Sequence, residues 1–168
     1  MKNFKLFNLL IIVFFFKFQS AYSSIVYIDV DFIINNSEIG KISLSKLDTI
    51  NKKNLDNLKK NQSELRKIEN ELKKKENIIS TEQFDKEIKA LKLKFQEFNN
   101  EKENMVNDFK KKQKKELGTV LEKINIVIQE YMKTNSIEIV LDKKNIFVGK
   151  VSSDITEKIL IEVNNRYK

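Results

Sequence analysis

Apolar residues recur along this chain in two rhythms, and the change from one to the other divides it. From Ser24 the order Ser-Ile-Val-Tyr-Ile-Asp-Val is β-branched and aromatic, the make-up of a short buried strand. Residues 31–36 add a helical turn or two, and Asn35-Asn36-Ser37 with Gly40 then punctuates the chain. A long helical pattern is predicted to begin within residues 41–45. Leu44, Leu58, Leu65 and Leu72 recur at multiples of seven, while Leu47 and Ile68 fall three residues after members of that series. These are the a and d positions of a heptad seam, broken by Asn51, Asn54 and Asn61. The helix is predicted to stop near Ile79, because Ser80-Thr81-Glu82-Gln83 forms a fresh capping box with Ser80 as N-cap. A second helix follows, in which Phe84, Ile88, Leu91, Phe95, Phe98, Met105 and Phe109 keep the heptad spacing, with Lys102 out of character. Then Phe109, Gln113, Leu117 and Leu121 are four apart each time, a stutter that turns the apolar face.

Length arithmetic pairs these helices as an antiparallel hairpin. A partner that starts near Thr81 and matches the first helix runs out of pairing near Leu117, where the stutter and Gly118 lie. Glycine inside a helix costs about 1 kcal/mol relative to alanine, so Gly118 is predicted to serve as a hinge or to allow a close backbone approach. At ~1.5 Å per residue the paired arm is ~55 Å long and must project. Beyond it Val120, Leu121, Ile124, Val127, Ile128, Tyr131 and Met132 present a wider apolar face suited to burial in a body. Asn135-Ser136 ends that helix. Ile137–Asp142 and residues 146–150 then read as two strands around a Lys143-Lys144-Asn145 turn, and Asp154, with Glu157 three residues on, caps a final helix.

The predicted fold class is therefore α+β and predominantly helical: a long antiparallel helical hairpin, residues 44–118, projecting from a small β-rich body of residues 24–43 and 119–168. A body of about 70 residues is marginal alone, and short sheets with open edges invite partners. Ile25, Tyr27, Ile137, Ile139 and Leu141 are its candidate oligomerisation residues.

Residues 1–23 belong to neither part. Lys2 and Lys5 precede an apolar run over residues 6–16, interrupted only by Asn8, and Ala21-Tyr22-Ser23 gives the small-x-small ending of a signal peptide cleaved after Ser23. The run is about half of the ~20 residues that span a bilayer, although a retained anchor is the alternative. Cleavage removes three lysines and lowers the net charge from +8 to +5. An exported basic protein meets anionic lipid headgroups or acidic polypeptides, and export argues against nucleic acid.

Composition removes most chemistry. The chain has no histidine, cysteine or proline and three glycines, Gly40, Gly118 and Gly149. Histidine acid–base catalysis, Cys or His metal sites, cysteine nucleophiles, disulfides and glycine-rich phosphate loops are therefore out, and no cofactor is expected. A secreted hydrolase would need a nucleophile beside a base, and no such pair stands out, so an enzyme is not expected. Asp29 and Asp142 lie in apolar strands, where capping of nearby backbone is favoured over a paired-carboxylate site.

Two sets of residues remain as binding candidates. Phe84, Phe95, Phe98 and Phe109 are candidates for adaptable apolar contacts with a binding partner, against a placement in the seam between the helices. Lys110, Lys111, Lys112, Lys114 and Lys115 are candidates for an anionic surface, against a solvated helix face; on a helix they cannot all point one way.

Three stretches outside the arm stand out: Ile28-Asp29-Val30 followed by Gly40-Lys41, Val140-Leu141-Asp142-Lys143, and Ser153-Asp154-Ile155-Thr156. With these, and in its order of strand, arm helix, return helix, hairpin and final helix, the chain resembles the Skp or OmpH-like family of periplasmic chaperones; under that resemblance Phe84, Phe95, Phe98 and Phe109 are the candidate client-binding residues. It implies a homotrimer whose β-rich body holds helical tentacles around a cavity, and which holds unfolded outer-membrane proteins in the periplasm without ATP. The alternative is a coiled-coil envelope spacer or adaptor bound to anionic membrane surface.

Overall fold

The computed structural model describes residues 24–168; the predicted signal peptide lies outside them. Strand β1, Ser24–Ile28, pairs in parallel with β2, Ile137–Asp142. A parallel pair needs a long crossover, and here it consists of α1 (Val30–Asn36), α2 (Glu38–Lys75) and α3 (Thr81–Thr134). The register sets Ile25 against Ile139, Val26 against Val140 and Tyr27 against Leu141.

Residues 146–150 form no strand, contrary to the expectation of a β-hairpin. The Asp142 carboxylate accepts the Lys144 N–H at 3.1 Å and turns the chain into a 3-10 turn, Lys143–Asn145. The chain next crosses the sheet, with the Tyr27 hydroxyl donating to the Lys150 carbonyl at 3.1 Å, and reaches the far side of β1. There the Ile155 N–H donates to the Tyr27 carbonyl at 3.0 Å. A segment that crosses β1 cannot lie along the outer edge of β2, so its β-branched residues find no ladder, and among the described residues that edge stays unpaired.

A second correction concerns the start of the long helix, which begins at Glu38, earlier than the range 41–45. Ser37 is fully buried; its hydroxyl accepts the Gly40 N–H at 3.2 Å while its own N–H donates to the Ile33 carbonyl, so one residue ends α1 and caps α2. The Asn164 side-chain carbonyl accepts the Glu38 N–H at 2.9 Å and satisfies a further free donor of the same helix start. Gly40 is obligatory in this corner, since a Cβ there would lie 1.8 Å from the Ile34 carbonyl oxygen. The first helix also ends before Ile79, at Lys75; Ser80 nevertheless caps α3 by accepting the Gln83 N–H at 3.3 Å.

The final helix α4, Thr156–Arg166, packs Ile159 and Val163 against Val26, Ile28, Ile33, Val120, Ile124 and Val127. This core draws only on residues within 26–39 and 120–167. Elsewhere α2 and α3 rest on each other along a narrow seam in which Leu47, Leu65 and Leu72 are buried. Three polar pairs tie them: Lys46 with Glu116 at 2.6 Å, Asn61 with Glu101 at 3.1 Å, and Lys75 with Glu87 at 3.4 Å. The steps of fifteen and then fourteen residues along α2 are matched by equal steps back along α3, which makes the pairing antiparallel in unbroken register. In that register Leu44 lies level with Gly118. The second helix runs straight through Gly118, and a Cβ there would meet nothing within 4 Å, so no close backbone approach calls for glycine at this position.

Candidate functional site

One face of the small sheet is apolar and open. Val26 and Ile28 point into the core, so Ile25 and Tyr27, which alternate with them, point away, and Ile139 and Leu141 stand beside them in the parallel register. Ile25, Ile139 and Leu141 are each about half exposed, at 52%, 44% and 42%. Ile137 differs from its companions in the predicted set: the register shifts between Ser24 and Ile25, and Ile137 packs against the core. Sequence reasoning missed Phe147, Val148 and Val151, which are almost wholly exposed on the segment that crosses β1. The β-branched and aromatic character of Phe147 and Val148 is legible in the sequence but points to a strand over residues 146–150, and Val151 lies just beyond that stretch.

The end of the sheet is locked by a small polar network. Thr156 is buried, and its hydroxyl accepts the Asp29 N–H at 2.9 Å while donating to the Asp154 carboxylate. Asp154 also accepts the Thr156 N–H at 3.0 Å and pairs with Lys143 at 3.4 Å. Burial pushes the Asp154 carboxyl up, but the hydrogen bonds from Thr156 and Lys143 outweigh it and hold the group below the usual carboxylate range. Ile155, at the N-cap position, offers no side-chain bond to the helix, so Asp154 serves the start of α4 from one residue further out. Asp29 and Asp142 act as backbone caps, accepting from Phe32 N–H at 2.9 Å and from Lys144 N–H at 3.1 Å.

Along the α2–α3 pair the four phenylalanines are all half-buried, and the structure separates them. Phe84 and Phe95 line a groove near the turn between the helices, together with Leu72, Ile88 and Leu91, whereas Phe98 and Phe109 lie nearer the body and outside it. All five lysines of the run from Lys110 to Lys115 are exposed, and Lys111 pairs with Asp108 at 3.8 Å. They spread around the helix, so no single face gathers them. Among the described residues no helix is long and apolar enough to cross a membrane, and no three His, Cys, Asp or Glu side chains group to hold a metal ion.

Together these features define an α+β protein in which two long antiparallel helices grow from a small parallel sheet with one open apolar face. A family model described as "Outer membrane protein (OmpH-like)" matches residues 24–163. The chain belongs to that OmpH-like family. Its fold is similar to a candidate outer membrane chaperone (OmpH-like) from Caulobacter crescentus CB15, with a TM-score of 0.77 and 18% identity over 86% of each chain. A search of curated proteins gives no match.

Proposed function

We propose that this protein is a holding chaperone of the periplasm, exported by a cleaved signal peptide, which binds unfolded outer-membrane proteins without ATP and works as a homotrimer. The observation that carries the reading is the division of labour in the fold. One end of the molecule has a packed core and an open apolar sheet face, while the long α2–α3 pair has no core of its own beyond a narrow seam. The open face with Ile25, Tyr27, Ile139 and Leu141, extended by Phe147, Val148 and Val151, supports self-association, and the free edge of β2 supports pairing with a second copy. The paired helices then serve as arms around a shared space. Each contact with an unfolded client is weak, but once one arm holds it the effective concentration for the next contact reaches the millimolar range.

The test mixes the mature protein with a β-barrel membrane protein diluted from urea. Suppression of aggregation at stoichiometric amounts, without nucleotide, is expected, together with a native mass of three subunits. An assembled protein that gives no suppression would favour the envelope spacer. Ile139→Lys and Phe147→Ser should both lower the native mass, and an unchanged mass would remove the sheet face from the assembly.

A further inference from the structure

The far end of the α2–α3 pair carries a groove that the seam leaves unfilled. Its floor is Leu72 of α2 with Phe84, Ile88, Leu91 and Phe95 of α3, and it encloses about 270 Å³. The cause is a mismatch between the helices. After Leu72 the next seam position of α2 is Lys75, which is held by Glu87 at 3.4 Å and ends the helix. Phe84 and Ile88 therefore run past the last apolar partner on α2, and their outer faces stay open.

Length and charge say what fits. From Phe84 to Phe95 the helix rises about 16 Å, which is the reach of about five residues of extended chain. Neighbouring side chains of an extended chain alternate in direction, so every second one enters the groove and the backbone polar groups stay at its mouth, in water. The rim carries Glu69, Lys73 and Lys92. Glu69 is neutralised by Lys73 at 2.8 Å, and Lys92 makes no ion pair among the described residues, so the rim's free charge is positive.

We infer that this groove binds an extended, unfolded polypeptide segment with apolar side chains at alternate positions and an acidic residue beside Lys92. The inference rests on the chaperone reading above and names the sequence pattern in the client that the arm recognises. Outward-facing strands of membrane β-barrels have that alternation.

The experiment uses the mature full-length protein with benzoylphenylalanine placed in turn at Phe84, Phe95, Lys89 and Phe109, and the urea-diluted β-barrel protein as client. Client cross-links should concentrate at 84 and 95. A short peptide alternating Phe and Ser and carrying one Asp should compete with them, while a peptide of the same composition with its Phe residues clustered should compete poorly. Phe84→Ser with Phe95→Ser should weaken peptide binding by about tenfold or more. Because that pair of changes loosens the seam, Lys92→Glu on the exposed rim serves as the second variant. It should weaken the Asp-containing peptide about two- to fivefold at low salt and leave an Asn-containing version unaffected. Equal cross-linking at all four positions, equal competition by both peptides, or cross-links from 84 and 95 to another copy of this protein would overturn the groove as a client site. Loss of aggregation suppression by the unmodified protein would instead defeat the chaperone reading itself, so the two failures are distinguishable.

Discussion

Two glycines with similar prospects in the sequence have opposite roles in the structure. Gly118 stands out in the sequence as a hinge or a close approach, yet it sits inside a continuous helix, and a Cβ added there would meet nothing within 4 Å. Gly118→Ala should therefore stabilise the helix by about 1 kcal/mol and raise the melting temperature by about 3 °C. If Gly118 is a hinge of the proposed chaperone, that stiffening should also narrow the size range of the proteins whose aggregation it suppresses. Gly40, which the sequence marks as loop punctuation, is wedged between Ile34 and Ser37 in the first turn of α2. Gly40→Ala should cost about 1–3 kcal/mol or more, because the clash is with backbone that cannot yield. Thermal unfolding of the two variants side by side should shift in opposite directions. Asp154 adds a pH dependence. Its folded pKa lies below the unfolded value of about 3.9, so its contribution is present at neutral pH and is lost as pH falls through the folded value. Denaturant titrations should find Asp154→Asn less stable than the wild type at pH 7, with the gap closing toward pH 3.

At the scale of elements, legibility followed whether the determining contacts were local. The heptads over residues 44–72 and 84–109 and the Ser80 cap depend on neighbours a few residues away, and they announced α2, α3 and the turn between them. The parallel pairing of β1 with β2 joins residues more than a hundred apart, and the fate of residues 146–150 is set by Tyr27 and the far side of β1. No periodicity carries that information. The groove was half legible: Phe84 and Phe95 stood out, but its existence follows from Lys75 ending α2 too early to cover them. The seam itself varies along its length, since Leu47, Leu65 and Leu72 are buried while Asn51, Asn54 and Asn61 between them are half-buried. A wet middle between drier ends should open more easily. Amide exchange should be faster over residues 51–61 than over 65–72, and replacing the three asparagines with leucine should erase that difference and raise the melting temperature. Uniform exchange in the natural protein would mean that the polar seam confers no local looseness.

For the molecule as a whole, the arm and the body should be separable. None of the residues that build the core lies within 44–118, and the register brings Leu44 level with Gly118, so the ends left by removing that span lie side by side. A short linker can join them with little loop entropy. The body would keep its sheet, the Thr156 network and the Asn164 bond to Glu38, together with the open apolar face proposed above to join copies. The shortened protein should therefore fold and keep the subunit number of the natural one, yet fail to keep a diluted β-barrel protein in solution. A second version lacking only residues 52–110 retains Leu47 and the Lys46–Glu116 pair, so it guards against a failure to fold that comes merely from exposing the neck of the arm. If either folded, assembled version still protects its client at stoichiometric amounts, binding resides in the body and the long helices have some other task.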